Sequence, residues 1–182
     1  MATTFVAPAN TRTIDWSYAM LAGVVAMVVF GIVEMAFSWA SRGASPLAPL
    51  AVFGTATLNA LMPSAHPGGG GVRTAMVGVA CLLVLGAISG VILAYLVNTL
   101  GMAGAALVGL VFGLAMFALD MYAIARVLPA LTALRDWMSA LAYVIQGVLA
   151  AALYKVMTRE DATAAPDEDA HDLRDLRHAR LV

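Results

Sequence analysis

The sequence predicts an all-α membrane protein: a four-transmembrane-helix bundle with a short interfacial or re-entrant helix between spans one and two. Three observations carry this. The 182 residues are 62% hydrophobic and 12% charged, whereas soluble domains run at roughly 45–50% apolar and about 25% charged. Seven of the 11 acids and four of the ten bases follow Met157, so the first 157 residues lack the charge to cover a soluble core. Four apolar runs, about 17–40, 75–97, 102–122 and 137–157, are each long enough to cross a bilayer.

Residues 1–16 form a polar leader without a motif, in which a single Arg12 precedes a long run containing an acid. A cleaved signal has a basic start and a shorter apolar stretch, so the first run is expected to be retained. Asp15 is placed to cap it, with Trp16 and Tyr18 at headgroup depth and Trp39 marking the far interface. The connection from Ser41 to Arg73 holds LAVFGTATLNALM, too short to cross. Pro49 starts it and Pro63 stops it, which predicts a short helix over 49–62 with Leu50, Phe53, Leu58 and Leu61 on its apolar side. PSAHPGGGG (residues 63–71) then reads as a loop. The short turn NTLGMAG makes spans two and three antiparallel neighbours, and span three is expected to stay helical up to Leu128, before Pro129. Span four starts at Trp137 and is anchored by Lys155 and Arg159, and residues 158–182 read as an acidic, disordered or weakly helical tail.

Four spans put both termini on one side. Arg12, Lys155, Arg159 and Arg174 on that side balance Arg42, Arg73, Arg126 and Arg135 on the other, so positive-inside counting leaves the orientation open. The expected location is the inner (cytoplasmic) membrane, with the bilayer as first partner.

Ionisable groups inside spans are costly unless protonated, paired or hydrated, which makes them functional candidates. Glu34 lies within span one and Asp120 near the end of span three; Gln146 is the buried amide of span four. Glu34 follows Gly23 by eleven residues, as Asp120 follows Gly109, and a Met follows each acid. Duplication of a two-helix unit and chance both account for this echo. Small residues offer packing faces at Gly86 and Gly90, at Ala105, Gly109 and Gly113, and at Gly147 with Ala151; close packing within one chain and dimerisation are the two readings.

Other chemistry finds little support. The net charge of −1 leaves no nucleic-acid footprint. Cys81 alone excludes an internal disulfide or a multi-thiolate metal site, and His66, His171 and His178 lie outside the spans. No metal or cofactor is expected, and the absence of a nucleophile near an intramembrane His leans against an enzyme.

The runs TIDWSYAMLAGVVA (13–26), VEM (33–35), G-x-S-P (43–46) with Pro49, LMP (61–63), DMY (120–122) and RDW (135–137) resemble an uncharacterised family of small four-span bacterial integral membrane proteins. Some of its members carry a sodium:solute symporter label, which a four-span chain of this size does little to support. The resemblance covers most of 13–157 and implies the same four-span architecture, with Glu34 matching the acid of the family's first span. This chain departs from the pattern at Leu47 and Leu50, where members often have a Trp and an Arg. It also lacks the His residues they often carry in spans two and four.

Three functional expectations follow. The first is a non-catalytic accessory or structural component, a homo-oligomer or part of a larger membrane complex. The alternative is a proton- or cation-coupled carrier or channel using Glu34 with Asp120 and Gln146. The third is lipid or quinone binding in an apolar cavity lined by Phe53, Phe37 and Trp39.

Overall fold

The computed structural model describes residues 14–62 and 71–164, with side chains as far as Arg159. Five α-helices account for most of this: α1 (Trp16–Arg42), α2 (Ala48–Leu61), α3 (Val72–Val97), α4 (Met102–Ala118) and α5 (Trp137–Ala164). All except α2 belong to spans long and apolar enough to cross a membrane, so this is a multi-pass helical membrane protein. Residues 63–70 of the expected loop over 63–71, the three histidines and the tail beyond Ala164 lie outside the described residues.

Asp15 caps α1 as its position predicts, its Oδ1 accepting from the Ser17 and Tyr18 amides at 2.9 and 3.1 Å. At the other end Gly43, with φ of 61°, takes the left-handed turn that a side chain would disfavour. Helix α5 runs past the expected end of span four at Met157, because a helix leaving the bilayer can continue into water where its residues (TREDATA) tolerate it. Span three leaves α-geometry earlier than its sequence implies. It passes through a π-helical turn (Leu119–Ala123) and a 3₁₀ turn (Ile124–Arg126), and a further 3₁₀ segment (Pro129–Leu134) leads to α5.

Within a bilayer apolar side chains gain little by meeting one another rather than lipid, so helices associate through close packing of small residues. Here the glycines decide which helices pair. A Cβ built on Gly23 would collide with the Gly86 carbonyl, and one on Gly90 with that of Ala19. Likewise a Cβ on Gly147 would strike the Gly109 carbonyl. These contacts make α1 with α3, and α4 with α5, antiparallel pairs in backbone contact, which are joined across α1 and α5. The short turn between α3 and α4 does not make them packing partners along their length, contrary to the expectation from loop length. Their small-residue faces are taken up on other helices. Gly86 and Gly90 are thus used within the chain, and both halves of the sequence echo, Gly23 and Gly109, serve the same kind of helix contact.

Helix α2 packs antiparallel to α3, with Gly54 against the Thr74 carbonyl and Gly78 against that of Leu50. Leu50 also approaches Gly31, eleven residues before the end of α1, or about 16 Å along its axis. Helix α2 therefore starts alongside the body of α1 rather than beyond its end. Its buried face is Pro49, Leu50, Phe53, Gly54 and Ala56. Leu61 is exposed and Leu58 only partly buried, because Gly54 rather than the leucine stripe sets the face applied to α3.

The two ends of the bundle differ. Alanines, with Leu93, Val97 and Tyr154, close the end at which α1 begins. The other end is filled by larger groups, among them Phe30, Phe53, Met121 and Tyr143.

Candidate functional site

One face of α5 organises the polar interior. Asp136, Ser139, Tyr143 and Gln146 follow at spacings of three, four and three residues, the period that keeps side chains on one side of a helix. Each of the last three reaches a different helix.

At the loop end the Arg42 guanidinium joins α1 to α5. Its Nη1 lies 3.1 Å from Glu34 Oε2, its Nε donates to Asp136 Oδ2 at 2.8 Å, and its Nη2 donates to Ser139 Oγ at 2.9 Å. Asp136 Oδ1 in turn accepts from the Ser139 amide at 2.8 Å, capping α5. Partial burial pushes the Asp136 carboxyl upward, but the Ser139 amide and the Arg42 guanidinium outweigh it and hold the group below the usual aspartate range. Glu34 is 1% exposed. Its Oε1 has no hydrogen-bond partner among the described residues. One cation thus serves two acids, and the deeper of them keeps an unsatisfied oxygen.

One turn further along α5, the Tyr143 hydroxyl donates to Asp120 Oδ2 at 2.5 Å. Asp120 stands in the π-helical turn, whose wider winding rotates side chains out of the register of the preceding helix. The Tyr143 ring stands edge-on to Phe30 at 4.8 Å and to Phe117 at 5.8 Å, so its hydroxyl is held by packing as well as by the bond. Deeper still, Gln146 Nε2 donates weakly to Ser89 Oγ on α3 at 3.4 Å, and Ser89 donates to the Gly86 carbonyl at 3.0 Å.

Where α3 and α4 part, a cavity of about 250 Å³ remains. Met27, Phe30, Phe53 and Leu82 contribute to its apolar walls, and Asp120, Tyr143, Gln146 and Ser89 supply polar groups. Leu85 on α3 and Leu119 at the start of the π-helical turn, both exposed, flank it. Ala56 and Leu128 are shared with a wider recess of about 520 Å³ between α2 and the segment after α4.

The three polar residues picked out in the sequence therefore do not share one chamber. Asp120 and Gln146 line the cavity, whereas Glu34 sits in the Arg42 cluster nearer the loop end. Phe53 lines it as expected, but Phe30 takes the place foreseen for Phe37 and Trp39. Trp39, five residues past Glu34, points off the inward face and is 70% exposed. Trp16 and Trp137 are exposed too, and Cys81 lines the cavity. Lys155 is buried, and its Nζ donates to the Asn98 carbonyl at the end of α3, 2.8 Å away. Arg42, Asp136, Ser139 and Tyr143 are not among the candidates that the sequence offers. Asp136 carried a signal, an acid directly before an apolar run, and the spacing of Ser139, Tyr143 and Gln146 was another. Arg42 carried none, since eight residues is not a side-chain neighbour distance on a helix.

Among the described residues no group of three His, Cys, Asp or Glu side chains could hold a metal ion. Compared with known protein families, curated proteins and solved structures, the chain finds no match.

Proposed function

We propose that this is a binding protein of the cytoplasmic membrane, with both termini on one side, that holds a small amphipathic lipophile between α3 and α4 without transforming it. The observation that carries the reading is the cavity itself, apolar and aromatic on most sides and polar along α5, flanked by lipid-facing leucines. A cavity of about 150 Å³ takes up benzene, so 250 Å³ suits a head of about ten heavy atoms by the same scale. Service as an accessory component of a larger complex is compatible with this reading.

A through path for ions has less support. The polar stripe of α5 stops at Gln146, and the next polar side chain on the buried face is Tyr154, eight residues on, or about 12 Å. Ala150, Ala151, Leu93 and Ala105 fill that interval.

Methyl NMR on protein carrying ¹³C-methyl methionine in nanodiscs tests the proposal, because Met27 and Met116 line the cavity while Met20 and Met76 face outward. Neopentylbenzene should shift Met27 and Met116 saturably and leave Met20 and Met76 at the values set by lipid partitioning. Cys81→Trp, which fills the cavity, should abolish the saturable shift. Equal, non-saturating changes at all four methyls would sink the idea.

A further inference from the structure

The polar groups of the cavity define a charge preference, and we propose that its ligand is a small lipophilic cation, an aromatic or alkyl amine or quaternary ammonium; this rests on the binding reading above. Among the described residues, those lining the cavity include one carboxylate, Asp120, and no Lys, Arg or His. Tyr143 occupies Oδ2 of that carboxylate, while Oδ1 accepts no hydrogen bond from any described residue. Gln146 commits only a weak bond from its amide nitrogen to Ser89, which leaves its carbonyl oxygen as a second acceptor. An anionic head would meet a carboxylate with nothing to balance it, and a neutral acceptor would find few donors.

A cation is served twice. Its charge pairs with Asp120 in surroundings where ion pairing is stronger than in water, and its alkyl groups lie against aromatic rings. Phe30, Phe53 and Tyr143 all line the cavity, with Phe30 edge-on to both of the others at 6.2 and 4.8 Å. Aromatic walls are the recurrent means of holding quaternary ammonium groups. The recess of about 520 Å³ at Asn59, Ala60 and Pro129 shares Ala56 and Leu128 with the cavity as lining residues. Arg42 neutralises Glu34 in a separate cluster, so Asp120 is the acid left to take the charge.

Benzyltrimethylammonium and its uncharged isostere neopentylbenzene separate this proposal from the broader one. Both are titrated into the methionine-labelled protein in nanodiscs of zwitterionic lipid, with Met27 and Met116 as reporters. The expected result is saturable binding of the ammonium ion at least tenfold tighter than that of the isostere, once lipid partitioning is subtracted. Asp120→Asn, which preserves size and the Tyr143 contact, should reduce ammonium affinity by tenfold or more and leave the isostere unaffected. Tighter binding of neopentylbenzene, or ammonium binding indifferent to Asp120→Asn, would overturn the cation assignment and leave the lipophile reading standing. Failure of both compounds to move Met27 and Met116 overturns both. The wild-type comparison alone decides the matter should the variant not fold.

Discussion

Arg42 and Glu34, eight residues apart on α1, form an ion pair because the long Arg42 side chain folds back along its own helix instead of extending into water. The same guanidinium holds Asp136 and Ser139 at the start of α5, so one side chain ties the loop-side ends of two spans to a buried acid. Removing one partner of a buried ion pair costs about 3–5 kcal/mol, since the other charge is left without compensation. Arg42→Met should therefore destabilise the bundle by that order in denaturant unfolding. Glu34→Gln in the same background should restore a large part of the loss. A double variant as unstable as the sum of the two singles would exclude the coupling.

The Asp136 carboxyl sits below its ordinary range in the folded protein, which fixes a sign for the pH dependence. Its contribution is fully present above the unfolded value, about pH 3.9. That contribution is lost as the pH falls through the lowered folded value. Acid unfolding should thus steepen below about pH 4, with loss of the Arg42 contact and of the α5 cap together. Asp136→Asn should flatten this part of the curve; an unchanged acid limb would contradict the assignment.

Gly147 and Gly31 give opposite expectations for the same substitution. A Cβ on Gly147 meets the Gly109 backbone, whereas one on Gly31 meets only the end of the Leu50 side chain at 3.9 Å. Gly147→Ala should cost about 1–3 kcal/mol through forced separation of α4 and α5. Gly31→Ala should be neutral or stabilising by up to about 1 kcal/mol through helix propensity. Thermal unfolding in one detergent compares the two directly.

Lys155 donates to the Asn98 carbonyl where α3 ends, placing a positive charge at the negative end of that helix. Charges so placed are worth about 0.3–1 kcal/mol, rising to about 2 where partly buried. Lys155→Met should lower stability by about that much, and should speed amide exchange around residues 97–100 more than at the Arg42 end. Uniform acceleration along the chain would point instead to a global effect.

The aqueous and lipid-facing properties of this chain were legible from composition and run length: four spans, the Asp15 cap, the short helix between spans one and two, and the candidacy of Glu34, Asp120 and Gln146. These features depend on the local ratio of apolar to charged residues and on residues adjacent in sequence. Partnership was not legible in the same way. The short turn suggested that α3 and α4 pack together, yet the glycines send α3 to α1 and α4 to α5. Sequence displays a small-residue face but not the face it meets, since that depends on how all the helices fit at once. The π-helical turn at Asp120 was hidden for a related reason, because residue type sets helix propensity and not the local winding that packing imposes. Tertiary structure alone decided that Glu34 belongs with Arg42, that Asp120 belongs with Tyr143, and that a cavity stands where α3 and α4 diverge.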